Sequence, residues 1–148
     1  MNVIELKKIE FLKQFTHNLI DSNIDISISN KDDFVPWAVS SLVEVLHDNK
    51  IFINSVCMTP EKNFNEKSFS FKVSAKSKKQ TYDLNVMLIS KLNYEDFDVL
   101  LNSNNIIIHQ LEHIKLFSDA AIMKFVCKFN FFNIYHHRNK CFVVLSKI

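Results

Sequence analysis

Not one of the 148 residues is glycine, and that absence narrows what the chain can build more than any pattern it contains. Positive-φ backbone positions, and loops whose main chain closes on a phosphate, depend on a residue without a Cβ. Phosphate-cradling loops, dinucleotide fingerprints, nucleophile elbows and calcium loops are thereby excluded. Left-handed turn positions are expected to fall to asparagine, of which there are sixteen, Asn49, Asn104 and Asn139 among them.

What the sequence does specify is centred on Ser68 to Ser90. Phe69, Phe71, Val73 and Ala75 alternate with polar residues, and Tyr82, Leu84, Val86 and Leu88 do so again after a basic break. A period of two on both sides of a polar connection predicts a β-hairpin with one buried face. The connection, Lys76 to Gln80, has three lysines and no apolar residue, so it is expected to stand in water on a firm base.

Around this hairpin the chain predicts an α+β domain. Val3 to Ile20 carries Ile4, Leu6, Ile9, Phe11, Leu12, Phe15, Leu19 and Ile20 at helical spacing. NIDISIS alternates through Ile24, Ile26 and Ile28 as a short edge strand. A second helix is expected from about Phe34 to Asp48, with Asp33 as N-cap and Pro36 in its first turn. Ile51 to Met58 reads as a strand, Thr59 to Lys67 as a polar connection, and the strand plus the hairpin make a three-strand antiparallel meander. A short helix is expected from Tyr94 to Leu101, and a buried strand at Ile106 to Ile108. Phe125 to Phe132 fits both a helical and a strand period. A helix from Asp119 to about Asn130 is preferred because Ala120 and Ala121 follow a cap, and Cys141 to Ser146 is a strand. The sum is a single domain: a mostly antiparallel sheet with that three-strand meander at its centre, packed by about four helices. The fourteen phenylalanines are assigned to its core.

At this length about 70% of the unfolded surface is buried on folding, so no disulfide or metal staple is needed. Cys57, Cys127 and Cys141 are odd in number, widely spaced and lack a CxxC, and are expected to be reduced core residues. No apolar run is long enough to span a membrane, and the N-terminal residues mix charges into every turn; a cytoplasmic protein without membrane contact is expected.

Two strings invite a catalytic reading. His109-Gln-Leu-Glu-His113 matches the H-x-x-E-H pattern of inverzincin metalloproteases. On a helix its histidines would chelate zinc, but no glutamate follows Glu112 to supply a third ligand, and the string begins directly after an isoleucine strand. His136-His137-Arg138 is expected in an exposed turn without a ligand. No cofactor, metal or catalytic residue is expected.

From Phe34 to Ile108 the order helix, three strands, helix, strand is similar to the core order of PD-(D/E)xK nucleases. The resemblance implies magnesium held by an acid entering one strand and an acid-x-lysine pair on the next. Here the pair position reads Asp83-Leu-Asn85, and Phe69 to Ala75 contains no carboxylate. An active nuclease is therefore not expected, although a degenerate relative is compatible with the order.

The remaining signal is charge. Glu61 to Gln80 holds six lysines against two glutamates, while Asp21, Asp25, Asp32 and Asp33 surround only Lys31, and Glu95, Asp96 and Asp98 form another acidic cluster. With Arg138 the single arginine, bidentate readout of phosphates or guanines is nearly absent. The expectation is a noncatalytic protein-binding module, a small intracellular inhibitor of the toxin-immunity or phage anti-defence type, whose partner is a toxin or defence component. Its basic docking residues would be Lys72, Lys76, Lys78 and Lys79, and its acidic alternative Asp25, Asp32 and Asp33. The competing readings are a nucleic-acid-associated protein that binds weakly and nonspecifically through the lysine-rich hairpin, and a hydrolase assembled from distant residues.

Overall fold

The computed structural model describes residues 6–20, 31–60, 68–89, 106–111, 127–137 and 140–147, with the side chains of residues 31, 33, 68, 110, 111, 137 and 140 excepted. Helices α1 (Lys8–Ile20) and α2 (Lys31–Asp48) precede six strands: β1 (Ser55–Pro60), β2 (Ser68–Lys76), β3 (Thr81–Ile89), β4 (Ile106–Leu111), β5 (Phe131–His137) and β6 (Lys140–Ser146). They form one sheet in the order β1-β2-β3-β4-β6-β5. Among the described residues only β3 and β4 run parallel. A parallel pair cannot be joined by a tight turn, which accounts for the long connection, residues 90–105, between them. The α+β class and the mostly antiparallel sheet hold, and no helix among the described residues is long and apolar enough to cross a membrane.

The hairpin pairs as its alternation requires, but the expected single buried face holds only near the loop: towards the other end Ser70, Met87 and Ile89 are buried on the opposite face as well. Ser68 pairs with Ile89, and the ladder runs in register to Lys76 and Thr81. Phe69, Phe71, Val73 and Ala75 on β2 and Tyr82, Leu84, Val86 and Leu88 on β3 all enter one core. Phe11, Leu12, Phe15, Leu19 and Ile20 of α1 and Phe34, Val35, Ala38, Leu42, Val45 and Leu46 of α2 cover it from one side. Phe34 meets Phe71 edge-on, with ring centroids 5.8 Å apart, an arrangement that adds about 1 kcal/mol to the area buried. β1 completes the meander through Ser55↔Lys76 to Pro60↔Phe71, which forms one side of the sheet rather than its centre, because β4, β6 and β5 all add beyond β3.

Several expectations need correction. Two helices are present among the described residues, not four. Tyr94 to Leu101 lies outside those residues, and 127–130, the expected end of the fourth helix, is a turn leading into β5. The phenylalanine run that satisfied two periods thus ends as a strand, because Phe131 reaches the core from β5 once its ladder with β6 forms. α2 begins at Lys31, so Asp33 is inside the helix rather than capping it. Pro36 then sits in the second turn, where its missing N–H deprives the Asp32 carbonyl of its helical partner. Ile9, assigned to the apolar stripe of α1, is 55% exposed because it lies at the helix start, where the stripe does not yet face the sheet. β1 spans Ser55–Pro60, not Ile51 to Met58. Ile51 and Ile53 pack against the core ahead of it, and Pro60 is accommodated because β1 is an edge. Of the cysteines, all unpaired, Cys141 is buried whereas Cys57 and Cys127 are exposed. The expected strand at Ile24 to Ile28 falls outside the described residues.

Candidate functional site

The site is assembled by the way α2 ends. A helix leaves its last carbonyls without partners, and here three backbone donors return to them. Asn49 N–H reaches Val45 O, Lys50 N–H reaches His47 O at 2.9 Å, and Ile51 N–H reaches Leu46 O at 2.9 Å. This double closure is a Schellman motif, whose pivotal residue is left-handed and usually glycine. Lacking glycine, the chain puts Lys50 there, at φ 61°. Asparagine was expected in that role; Asn49 instead spends its side-chain amide on Val45 O at 2.7 Å.

The closure aims residues 50–54 along the hairpin. Asn54 N–H donates to Lys76 O at 2.7 Å, and β1 pairs from Ser55 opposite Lys76. The segment just ahead of β1 therefore runs past the end of β2, beside the hairpin loop. Ile51 and Ile53 turn inward, and Phe52 between them is left 67% exposed, its ring tilted against His47 at 6.4 Å.

The loop is held by its own hydrogen bonds. Ser77 N–H donates to Gln80 O at 2.9 Å, and Ser77 Oγ accepts from the backbone of Lys79 and Gln80. The Gln80 amide donates to the Tyr82 hydroxyl, whose ring is buried in the core. Lys76, Lys78 and Lys79 are exposed on this pinned base, as the sequence led one to expect. Between the two segments lies a cleft of about 430 Å³, lined by Lys50, Ile51, Phe52, Ser77, Lys78, Lys79, Gln80 and Tyr82. Three lysines and an exposed phenylalanine thus line one cleft. Among the described residues the single ion pair is Lys7 with Glu10, so none of these lysines has a carboxylate partner there. Asp48, close in sequence, instead accepts from the Gln14 amide at 2.7 Å.

Other candidate residues are dispersed. Lys72 is half-buried on the sheet face opposite the helices, paired in register with Asn85, and does not join the cleft. Asp83, on that same face, is exposed and accepts from the Ser74 hydroxyl. The Asn85 carbonyl oxygen is buried with no hydrogen-bond partner among the described residues. Lysine therefore stands across the ladder from the position where the nuclease pattern wants it, and Asp83 has no second carboxylate from β2. No group of three histidine, cysteine or acidic residues suited to a metal occurs among the described residues, so the magnesium set implied by the nuclease resemblance does not fit them.

His109 lies on β4, not on a helix, because the strand continues to Leu111; Glu112 and His113 fall outside the described residues. It is 7% exposed, and its Nδ1 is 3.2 Å from Ile89 O. Burial holds its pKa below the ordinary 6.5, partly opposed by that backbone contact. Asp32 is exposed on the first turn of α2, Asp33 lies beside it in the helix, and Asp25 is outside the described residues. His136 and His137 end β5 rather than lying in a turn.

Lys50 and Phe52 were missed as site residues. Their one sequence signal is position: the residues after a helix end, feeding a strand that pairs with the lysine-rich hairpin. No protein family matches the chain, nor does any curated protein or solved structure.

Proposed function

We propose that the protein is a noncatalytic binding module that docks an acidic protein partner at the tip of the β2–β3 hairpin, in the manner of a small intracellular inhibitor of a toxin or defence component. One observation carries this reading: Lys76, Lys78 and Lys79 stand exposed on a loop fixed by Ser77, Gln80 and Tyr82, and Lys50 adds its charge from the adjoining segment. A loop whose backbone is already pinned has little main-chain freedom to lose on binding, and its charges steer association of an oppositely charged surface. Exposed Phe52 supplies apolar area next to them, the usual composition of an interface centre beside a charged rim.

The test is comparative capture from the native host. Immobilised wild type and the variant K76E/K78E/K79E are exposed to the same extract, and a protein retained by the wild type alone is purified and its binding measured. Retention of an acidic protein, with affinity that falls as salt rises, is expected. Retention of nucleic acid in its place would favour the nonspecific polyanion reading, and equal retention by both forms would move the interface away from the hairpin.

A further inference from the structure

We propose that the cleft between the α2–β1 segment and the hairpin tip is a binding site for a small molecule in which a flat unsaturated ring is joined to a chain of phosphates, the chemistry of a nucleotide. The inference goes beyond the docking of a protein partner and stands without it, although both use Lys78 and Lys79.

Size comes first. A cleft of about 430 Å³ is within the range of small-ligand sites, roughly 300–1,000 Å³. Its chemistry divides into two parts that a nucleotide also has. Lys50, Lys78 and Lys79 are three of the cleft's eight lining residues, with no carboxylate partner among the described residues. Lysine binds phosphate as a point charge and needs no glycine loop to do so. The chain thus has a route to phosphate that does not require the backbone cradles it cannot build.

The second part is Phe52. A phenylalanine 67% exposed beside like-charged ammonium groups is poorly used in the free protein, since it keeps apolar area in water at the mouth of a cleft. A planar ring laid on it removes that area and stacks, a contact tolerant of base identity because every base has a π-face. Hydrogen-bonding groups are also present: the Gln80 amide nitrogen is committed to Tyr82, which fixes the side chain and leaves its carbonyl oxygen as an acceptor for an exocyclic amine.

The backbone fixes where the first of these lysines stands. The closure of α2 holds Lys50 at φ 61° and makes it part of the cleft lining.

The experiment is titration calorimetry of the full chain at low salt with ATP, tripolyphosphate, adenosine and a single-stranded oligonucleotide. ATP is expected to bind at least tenfold more tightly than tripolyphosphate. F52A should abolish that preference while leaving tripolyphosphate binding intact, and K50A/K78A/K79A should weaken both ligands tenfold or more, with circular dichroism confirming that each variant is folded. Equal affinity for ATP and tripolyphosphate would reduce the site to an anion patch and overturn the proposal. Absence of ATP binding at millimolar concentration would overturn it too, as would an oligonucleotide whose affinity exceeds that of ATP and grows with length.

Discussion

Ile51 N–H donates to Leu46 O at 2.9 Å, and that one bond both ends α2 and commits Lys50 to the left-handed region. Lys50→Gly removes the side-chain penalty and should stabilise the fold by about 1 kcal/mol, raising Tm by roughly 2–4 °C. Lys50→Ala keeps a Cβ and should give no such gain. Thermal unfolding of the two variants separates backbone strain from loss of charge, since both remove the ammonium group.

A second tie joins the two ends of the described chain. Thr16 Oγ1 donates to Leu12 O at 2.6 Å and lies 2.6 Å from the Tyr135 hydroxyl, to which the Asn133 amide donates at 3.1 Å. With Thr16 committed to Leu12, Tyr135 must be the donor to Thr16, giving the run Asn133 to Tyr135 to Thr16 to Leu12. Thr16→Val leaves the Tyr135 hydroxyl without its acceptor and should cost about 1–3 kcal/mol; Tyr135→Phe leaves Thr16 bonded to Leu12 and should cost only about 1 kcal/mol. In urea unfolding the double variant should be less destabilised than the sum of the two, and additive effects would contradict the coupling.

His109 makes stability depend on pH in a definite direction. Burial lowers its folded pKa beneath the ordinary 6.5, so below that pH the unfolded chain takes up a proton that the native protein resists. Its contribution is fully present above 6.5, falls as pH drops, and levels off once the lowered folded value is passed. One proton limits the slope to about 1.4 kcal/mol per pH unit. Unfolding free energies of wild type and His109→Gln, taken across this range, should diverge as pH rises towards 6.5. Parallel curves would show that the buried imidazole is not the group responsible.

How much of this was legible beforehand follows from which residues answer to local rules. The eight core residues of the hairpin were, because both strands alternate with a period of two, and the triple isoleucine of β4 and Cys141 to Ser146 of β6 were legible as apolar runs; the burial of Met87 and Ile89 on the hairpin's second face was not, since alternation alone assigns that face to water. β5 was not: Phe125 to Phe132 satisfies two periods, and the choice is made by a ladder with β6 that no local window contains. Ile51 and Ile53 read as strand because they alternate, yet pairing starts only at Ser55, where the partner Lys76 is available. Of the candidate site, the three hairpin lysines were visible as a charge run. Lys50 and Phe52 were not, since their place beside Lys78 arises from a helix closure and an edge-strand register acting together.

Docking of an acidic partner at the hairpin tip, as proposed, is decided by stopped-flow association of the purified partner with wild type, K76E/K78E/K79E and D32K/D33K at low and high salt. Exposed charges contribute little to folding, so K76E/K78E/K79E should unfold near the wild-type temperature, whereas D32K/D33K, which puts cations in the first turn of α2, should lose about 1–2 kcal/mol and is compared under conditions where it is folded. The lysine-reversed form should associate at least tenfold more slowly at low salt, the difference should shrink as salt screens the charges, and the aspartate-reversed form should keep the wild-type rate or exceed it. An unchanged rate for K76E/K78E/K79E, together with lost binding for D32K/D33K, would contradict the account and put the interface on the acidic start of α2.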